Sequence, residues 1–338
     1  MRSPQPPPDP RKTNPPDPDS LAAEGLGGGD REAVTKRLER YGTAKVRSHQ
    51  MAGYLVKAKE DTLSRRLYQC GAHLHFREWL AHEGRTTLHR GFFCQVPLLC
   101  PVCAIRRGGK LLRRYVERAA FLLRTHDAFM VTLTVKNGPD LWERWQHLRG
   151  SIRRLKDRGL KGYGAMAEAR GFVGSFEFTK SASGWHPHCH MVWFVPKGAR
   201  IEGGAGSQLS ADWHAITGDS FIVDSRPLYG EVTAAFCEVL KYALKFSGLD
   251  LVDNLAAYRT LRGKRLMTSG GCMYGLELPE DARLEDDPLD GPFIEIIYRW
   301  AGAQGYLLHD SWEGALNTDH VRTTIDAKET PDHALSSP

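Results

Sequence analysis

Hydrophobic positions recur along the chain at two spacings, and each spacing predicts one kind of element. Apolar residues spaced three or four apart predict helices, at residues 104–125, 141–161, 212–216, 231–247 and 293–307. Short runs rich in β-branched and aromatic residues predict strands, at residues 129–135, 172–179, 184–195 and 221–224. The mixture of both kinds of element in a chain of this length is compatible with one large domain or two modest ones.

Composition divides the 338 residues into segments. Residues 1–30 are rich in Pro, Gly and Asp and lack large apolar side chains, so we predict a disordered tail there and a second over 317–338. Between the tails we predict a helical region over 31–125, a second unit over 126–250, and an extension over 251–316 that packs on the second unit.

Charge and hydropathy restrict the class of protein. The formal net charge is +6, which is compatible with a polyanionic partner. No apolar run approaches the roughly 20 residues needed to span a bilayer, and the N-terminus lacks the apolar segment of a signal peptide. We therefore expect a cytoplasmic protein that contacts no membrane and keeps its thiols reduced.

Four of the seven cysteines lie close together in the sequence: Cys70, Cys94, Cys100 and Cys103. Four thiolates that include a C-x-x-C pair are typical of a closed tetrahedral structural zinc site. A histidine at position 73, 75 or 89 is an alternative fourth ligand. The other interpretation is that these are ordinary core cysteines.

Three histidines alternate in a segment that ends in an apolar, strand-forming run. In a strand, side chains two residues apart share a face, so His188 and His190 project together, and His186 precedes them. Paired imidazoles on one face suit a divalent transition metal. The alternative is a buried strand whose histidines are satisfied by hydrogen bonds.

A Ser-Gly pair between the strands at 172–179 and 184–195 predicts a hairpin. Pairing centred there sets Glu177 opposite His190 and Thr179 opposite His188, and a slip by one pair brings in His186 instead. Glu177, His188 and His190 would then form a two-histidine, one-carboxylate cluster that leaves coordination positions open.

The predicted helix over 231–247 carries its polar residues on the side opposite its apolar face. Tyr242 lies on this polar side between Lys241 and Lys245, and Glu238 lies one turn before it. A phenol beside two ammonium groups and a carboxylate is a candidate nucleophile, although a surface tyrosine is the ordinary alternative.

A basic stretch follows the cysteine pair on the predicted helix over 104–125. Arg106, Arg107 and Lys110 are candidate contacts to a DNA backbone, as are Lys241 and Lys245 on the predicted helix over 231–247. A charge-rich surface helix explains the same residues equally well.

Together these stretches resemble the replication initiators of small rolling-circle plasmids, which belong to the HUH endonuclease superfamily. The similar stretches are Phe-Met-Val-Thr-Leu-Thr from Phe129, His-Pro-His-Cys-His-Met-Val from His186, and Glu-Val-Leu-Lys-Tyr-Ala-Leu-Lys from Glu238, in the family's order. The cysteine pattern ending in Cys-Pro-Val-Cys-Ala-Ile-Arg-Arg is also similar, and the resemblance covers about residues 65–272. An aromatic is usual where Ala-Ile stands, and the Pro-rich tail is not a family feature.

The resemblance implies an α+β fold with a central antiparallel sheet and flanking helices, plus an N-terminal helical zinc-binding region. It implies that His188 and His190 hold Mn²⁺ or Mg²⁺ and that Tyr242 attacks one strand at a double-strand origin and becomes linked to a DNA 5′ phosphate. Glu238 stands where one branch of the family activates water to end replication. A second tyrosine, which other branches place one helical turn away, is absent from this sequence.

The implied partners are DNA, at the origin and its single-stranded nick site, and a host helicase and polymerase. The alternatives are a related relaxase or transposase that uses the same site, and a zinc-stabilised DNA-binding protein without catalysis.

Overall fold

The computed structural model describes residues 31–228, 249–276 and 291–315. Within these ranges the chain is α+β with flanking helices, as the resemblance implied, and it contains two antiparallel sheets where one central sheet was expected. The described α-helices are α1 (Arg31–Lys57), α2 (Asp61–Gln69), α3 (Pro101–Leu122), α4 (Leu141–Leu160), α5 (Gln208–Thr217) and α6 (Leu251–Leu261). The described strands are β1 (His73–Trp79), β2 (Arg85–Gly91), β3 (His126–Thr134), β4 (Gly171–Ser181), β5 (Gly184–Pro196), β6 (Val223–Pro227), β7 (Met267–Gly271), β8 (Pro292–Trp300) and β9 (Tyr306–Ala315).

Three helices begin at a residue whose side chain caps them. Asp140, Ser207 and Asp250 each accept a hydrogen bond from the backbone N–H three residues further on, at 2.7, 3.1 and 2.8 Å. Such caps satisfy N–H groups that the first turn of a helix leaves without partners. They fix where α4, α5 and α6 start.

A five-stranded sheet, in the order β6-β3-β5-β4-β7, joins four strands from residues 126–227 with β7 from residues 267–271. One of its faces packs against α4, where the buried Trp145, Leu148 and Ile152 join a core cluster with Cys189 and Met191. Alternate residues of a strand point to opposite faces, so the neighbours of Cys189 and Met191 along β5 lie on the other side.

The second face of this sheet is only partly apolar. Helix α3 packs on it through Leu112, Tyr115 and Ala119, which share a core cluster with Val173 and Val192. Beyond this contact the same face carries the histidines of β5. The sheet therefore separates an apolar side from a side where a helix and a polar stripe lie next to each other.

A second sheet, in the order β2-β1-β8-β9, packs on α1. The helix predicted over 293–307 is wrong, because these residues form β8, a single 3-10 turn at Gly302–Gln304, and the start of β9. The segment is rich in isoleucine, whose β-branched side chain favours strands, and it pairs with β1 more than 200 residues earlier in the chain. Strands β1 and β2 also lie within the region that the sequence described as helical, and the proposed domain boundaries stay a prediction.

None of the described helices combines the length and the apolar character that spanning a bilayer requires.

Candidate active site and metal centre

A polar stripe runs across the middle three strands of the five-stranded sheet. Thr132 of β3, His190 of β5 and Ser175 of β4 form one row of directly paired residues. Glu177 pairs with His188 in the next row. Paired residues of an antiparallel sheet point to the same face, so all five side chains project on the face that α3 partly covers.

The hairpin register differs from the favoured prediction. Glu177 lies opposite His188 and Thr179 opposite His186, which is the pairing that a slip by one pair gives. The shift arises because Gly184 ends the turn and pairs with Ser181, whereas the prediction placed it at the centre of the turn. Its φ of +99° and the 2.4 Å between a Cβ built there and the Gly138 carbonyl oxygen restrict this position to glycine.

Despite the shifted register, Glu177 and His190 are in contact. A Glu177 carboxylate oxygen lies 2.9 Å from Nε2 of His190, diagonally across the two strands. Both residues are buried, at 7% and 8% exposure. The other ring nitrogen of His190, Nδ1, lies 3.2 Å from the Thr132 hydroxyl oxygen, so the imidazole is held at both ends.

The histidines form a continuous series from the interior to the surface. The rings of His188 and His190 are parallel with centroids 5.9 Å apart, and those of His186 and His188 are 4.2 Å apart. His190 is buried, whereas His186 and His188 are partly exposed. Burial lowers the pKa of His186 below its ordinary value, which favours the neutral imidazole that a metal requires.

The ligand types of this stripe fit a divalent ion, but their arrangement fits only in part. Glu177 and His190 already approach within hydrogen-bonding distance. Nε2 of His188 instead lies 3.4 Å from the Thr179 hydroxyl oxygen, and the three ligand atoms are not all within 4.8 Å of one another. His188 therefore does not meet Glu177 and His190 at one point in this arrangement.

The predicted nucleophile and its neighbours lie outside the described residues. This applies to Glu238, Lys241, Tyr242 and Lys245. The described chain stops at residue 228 after β6, where the Leu228 amide donates to the Ala128 carbonyl at 2.8 Å, and resumes at residue 249. Their roles therefore stay predictions.

The four clustered cysteines converge on one point. Cys70, Cys94, Cys100 and Cys103 are all buried, and their Sγ atoms lie within 4.8 Å of one another. Three of the Sγ pairs are 3.5 Å apart. A tetrahedral zinc with bonds of about 2.3 Å places its sulfurs about 3.8 Å apart, so the cluster could hold zinc with very small movements. In the part of the chain that the structure describes, it is the sole group of three or more such ligands that meets this distance.

The surroundings of the cluster are polar and hold the sulfurs in place. The Cys94 amide donates to Sγ of Cys70 at 3.4 Å, and the Ser48 hydroxyl lies 3.4 Å from Sγ of Cys100. Burial opposes ionisation of Cys100, but its hydrogen-bonded contacts with Cys103 and Cys70 hold its pKa well below the ordinary value. The fully buried Lys45 amino group donates to the Cys70 carbonyl and so lies beside the cluster, and burial lowers its pKa from the ordinary value.

The basic residues of α3 that were predicted to contact DNA differ in how far they are exposed to solvent. Arg106 is 4% exposed, lies over the Phe93 ring at 4.1 Å and donates to the Tyr41 hydroxyl at 3.0 Å, so it is part of the core in this arrangement. Arg107 and Lys110 are partly exposed. Burial lowers the pKa of Arg107 from its ordinary value.

Sequence reasoning assigned no role to Thr132. The signal was present, because Thr132 and Thr134 are the polar residues at alternate positions of the otherwise apolar Phe-Met-Val-Thr-Leu-Thr stretch. Alternating polar residues in a buried strand indicate a face that contacts other polar groups.

The site thus combines an antiparallel sheet with histidines and a carboxylate on one face, and the same chain holds a separate buried four-cysteine cluster. Residues 85–200 match the family model described as "Replication protein". This span includes three of the four clustered cysteines and the whole polar stripe. It confirms the resemblance to plasmid replication initiators that the motifs indicated. Among curated proteins and solved structures, no match was found.

Proposed function

We propose that the chain is a plasmid replication initiator that nicks one DNA strand at a double-strand origin through attack by Tyr242. The observation that supports this most is the stripe of Glu177, His188 and His190, which falls inside the matched span. Replication proteins act on DNA, and the net charge of +6 is compatible with that partner.

Each residue of the stripe has a defined part in the proposal. His188, His190 and Glu177 would hold a divalent ion, Mn²⁺ or Mg²⁺, with His186 as a possible further ligand. Such an ion supplies Lewis-acid stabilisation of charge on the scissile phosphate. Thr132 fixes the orientation of His190 through Nδ1, as residues behind metal-binding histidines commonly do.

In the nicking step, the Tyr242 oxygen forms a bond to phosphorus while the bond to the DNA 3′ oxygen breaks. The phenol proton leaves the tyrosine, and the 3′ oxygen departs as a hydroxyl after taking up a proton. Lys241 and Lys245 would favour the phenolate, whose ordinary pKa of about 10 is well above neutral. The 5′-phosphotyrosine link retains the strand for later rejoining.

The catalytic stripe is tested by single substitutions of its histidines. His188→Ala or His190→Ala should abolish cleavage of single-stranded DNA from the replicon, assayed with Mn²⁺, while DNA binding remains. Binding rests on dispersed cations, so it should be nearly unaffected. His126→Ala, on the adjacent strand β3, is the matched control and should cleave normally. Normal cleavage by both stripe variants would place the chemistry elsewhere.

Glu238 is proposed to end replication by taking a proton from water. Glu238→Ala should still nick DNA and form the tyrosine adduct, but it should release multimeric single-stranded product because the hydrolytic step fails. The alternative is a surface ion pair with Lys241 or Lys245, worth under about 1 kcal/mol. Unit-length circles at normal yield from the variant would leave only that alternative.

The second candidate is a zinc-stabilised DNA-binding protein without catalysis. The direct contact between Glu177 and His190 favours it, since a structural histidine would be satisfied in this way. A relaxase or transposase would use the same site, and product analysis distinguishes it from an initiator. An initiator would also require a host helicase and polymerase.

A further inference from the structure

A basic cleft lies on the side of the five-stranded sheet that faces away from the histidines. It has a volume of about 480 Å³ and opens between α4 and β7. Its floor includes the buried Ile152 and Phe176. Because Phe176 and Glu177 are consecutive in β4, their side chains point to opposite faces, and the cleft is separate from the catalytic stripe.

Four cationic side chains line this cleft. Arg149, Arg153 and Lys156 come from one side of α4, and Arg265 comes from the segment before β7. The three on the helix form a row about 10 Å long at a rise of about 1.5 Å per residue. Among the described residues that line the cleft, none is acidic.

On the other side of α4, cationic side chains form ion pairs with carboxylates. Arg144 is paired with Asp219 at 3.1 Å, and Arg158 is paired with Asp212 at 3.3 Å. In the part of the chain that the structure describes, one cation of the cleft row forms an ion pair: Arg153 with Asp157, at 3.9 Å between exposed side chains. The positive charge of the cleft is therefore largely uncompensated by the protein.

Aromatic rings position the cations of the row. The Arg149 guanidinium lies 5.6 Å from the Trp145 ring centroid, and the Lys156 ammonium lies 5.0 Å from that of Phe172. Tyr274 also lines the cleft and is 70% exposed. A large exposed ring beside a row of cations is the combination that single-stranded nucleic acids require, because bases stack on the ring and phosphates meet the cations.

We propose that this cleft binds single-stranded DNA, with Arg149, Arg153 and Lys156 on its phosphates and Tyr274 stacked on a base. The identity of the polyanion rests on the proposed function. A cleft of this volume admits the nucleotides of one strand and not a double helix. It holds the strand away from the histidines, so it contributes to affinity and not to the chemical step.

The test measures the affinity of the full chain for a fluorescent single-stranded oligonucleotide from the replicon, with EDTA present so that no cleavage occurs. The variant is the triple substitution Arg149→Gln, Arg153→Gln and Lys156→Gln. The control is Arg154→Gln on the same helix, whose guanidinium donates to the Ser151 hydroxyl and the Ile216 carbonyl. Circular dichroism verifies that each variant is folded.

The triple variant should bind at least about tenfold more weakly at 0.1 M salt. The slope of log affinity against log salt should fall in magnitude by about two, since each lost phosphate contact removes about 0.7. Tyr274→Ala should weaken binding by about fivefold or more through lost stacking. Arg154→Gln should bind as the wild type does.

Two results would overturn the proposal. One is unchanged single-strand affinity in a folded triple variant, and the other is a loss confined to duplex DNA. Failure of the proposed function is a separate outcome, because it would appear as absent cleavage by the wild-type chain with Mn²⁺. If both the proposed function and the proposed DNA-binding cleft are correct, the triple variant should raise KM for cleavage and leave kcat unchanged.

Discussion

Removing one cysteine of the four-cysteine cluster should cost most of the stability of the four-stranded sheet and its helices. Cys103→Ala deletes a sulfur that lies 3.5 Å from both Cys70 and Cys94. The cluster joins the end of α2, the residues after β2 and the start of α3, so three elements lose a shared contact. All four cysteines belong to the same buried core cluster as Leu67.

The expected magnitude follows from how closely the sulfurs match a zinc site. The 3.5 Å spacings differ by only about 0.3 Å from the edge of a zinc tetrahedron, so little binding energy is lost to rearrangement. Structural zinc contributes about 10–16 kcal/mol of apparent binding free energy in small zinc domains, while whole domains are stable by about 5–15 kcal/mol. Loss of zinc should therefore lower the free energy of unfolding by at least about 5 kcal/mol.

The assay combines elemental analysis with thermal and urea unfolding followed by circular dichroism. Wild-type protein should contain about one zinc per chain, and Cys103→Ala should contain little and unfold at lower temperature. The control is Cys189→Ala, which removes another fully buried cysteine that lies in the five-stranded sheet. It should keep its zinc and lose about 1–2 kcal/mol through the cavity alone. Zinc-free wild-type protein that unfolds like the control would refute the reasoning.

Two further substitutions test details of the two sheets. Thr132→Val removes, at nearly constant volume, the hydroxyl that lies 3.2 Å from Nδ1 of His190. The variant should cleave DNA about tenfold or more slowly, while its affinity for DNA is unchanged. A normal cleavage rate would show that the hydroxyl does not position the His190 ring. Burial and the neighbouring Arg77, opposed by Glu295, lower the pKa of His89 to about 4. Its neutral form is favoured in the folded state, so the contribution of His89 to stability is complete above about pH 6.5 and is lost as pH falls toward 4, by on the order of 2 kcal/mol. Urea unfolding should show that His89→Gln loses less stability than the wild type as pH falls from about 6.5 toward 4. A stability profile identical to that of the wild type would contradict the lowered pKa of His89.

Much of the five-stranded sheet could be predicted because its signals are local. The alternating histidines and the apolar run over residues 184–195 predicted the strand β5 and the shared face of His188 and His190. The helix predicted over residues 141–161 is α4. The convergence of the four cysteines also followed from spacing, since a C-x-x-C pair is itself a local ligand arrangement.

The errors lie where contacts distant in sequence decide the structure. The register of the hairpin depends on Gly184, whose position is set by the backbone of Gly138 on another segment. Strands β8 and β9 form because β1 is available to pair with β8, which no local pattern over 293–307 reveals. Arg106 looked like a surface cation in the sequence, but the Phe93 ring and the Tyr41 hydroxyl supply a buried place for it.

The identity of the residue that becomes linked to DNA tests the central claim most directly. The full chain is incubated with Mn²⁺ and overlapping single-stranded oligonucleotides that cover its replicon, and the adduct that survives denaturation is mapped by mass spectrometry. We predict one adduct, on Tyr242, which Tyr242→Phe and His190→Ala both abolish. An adduct on Tyr163, Tyr229 or Tyr274, or cleavage with no adduct at all, would contradict the account.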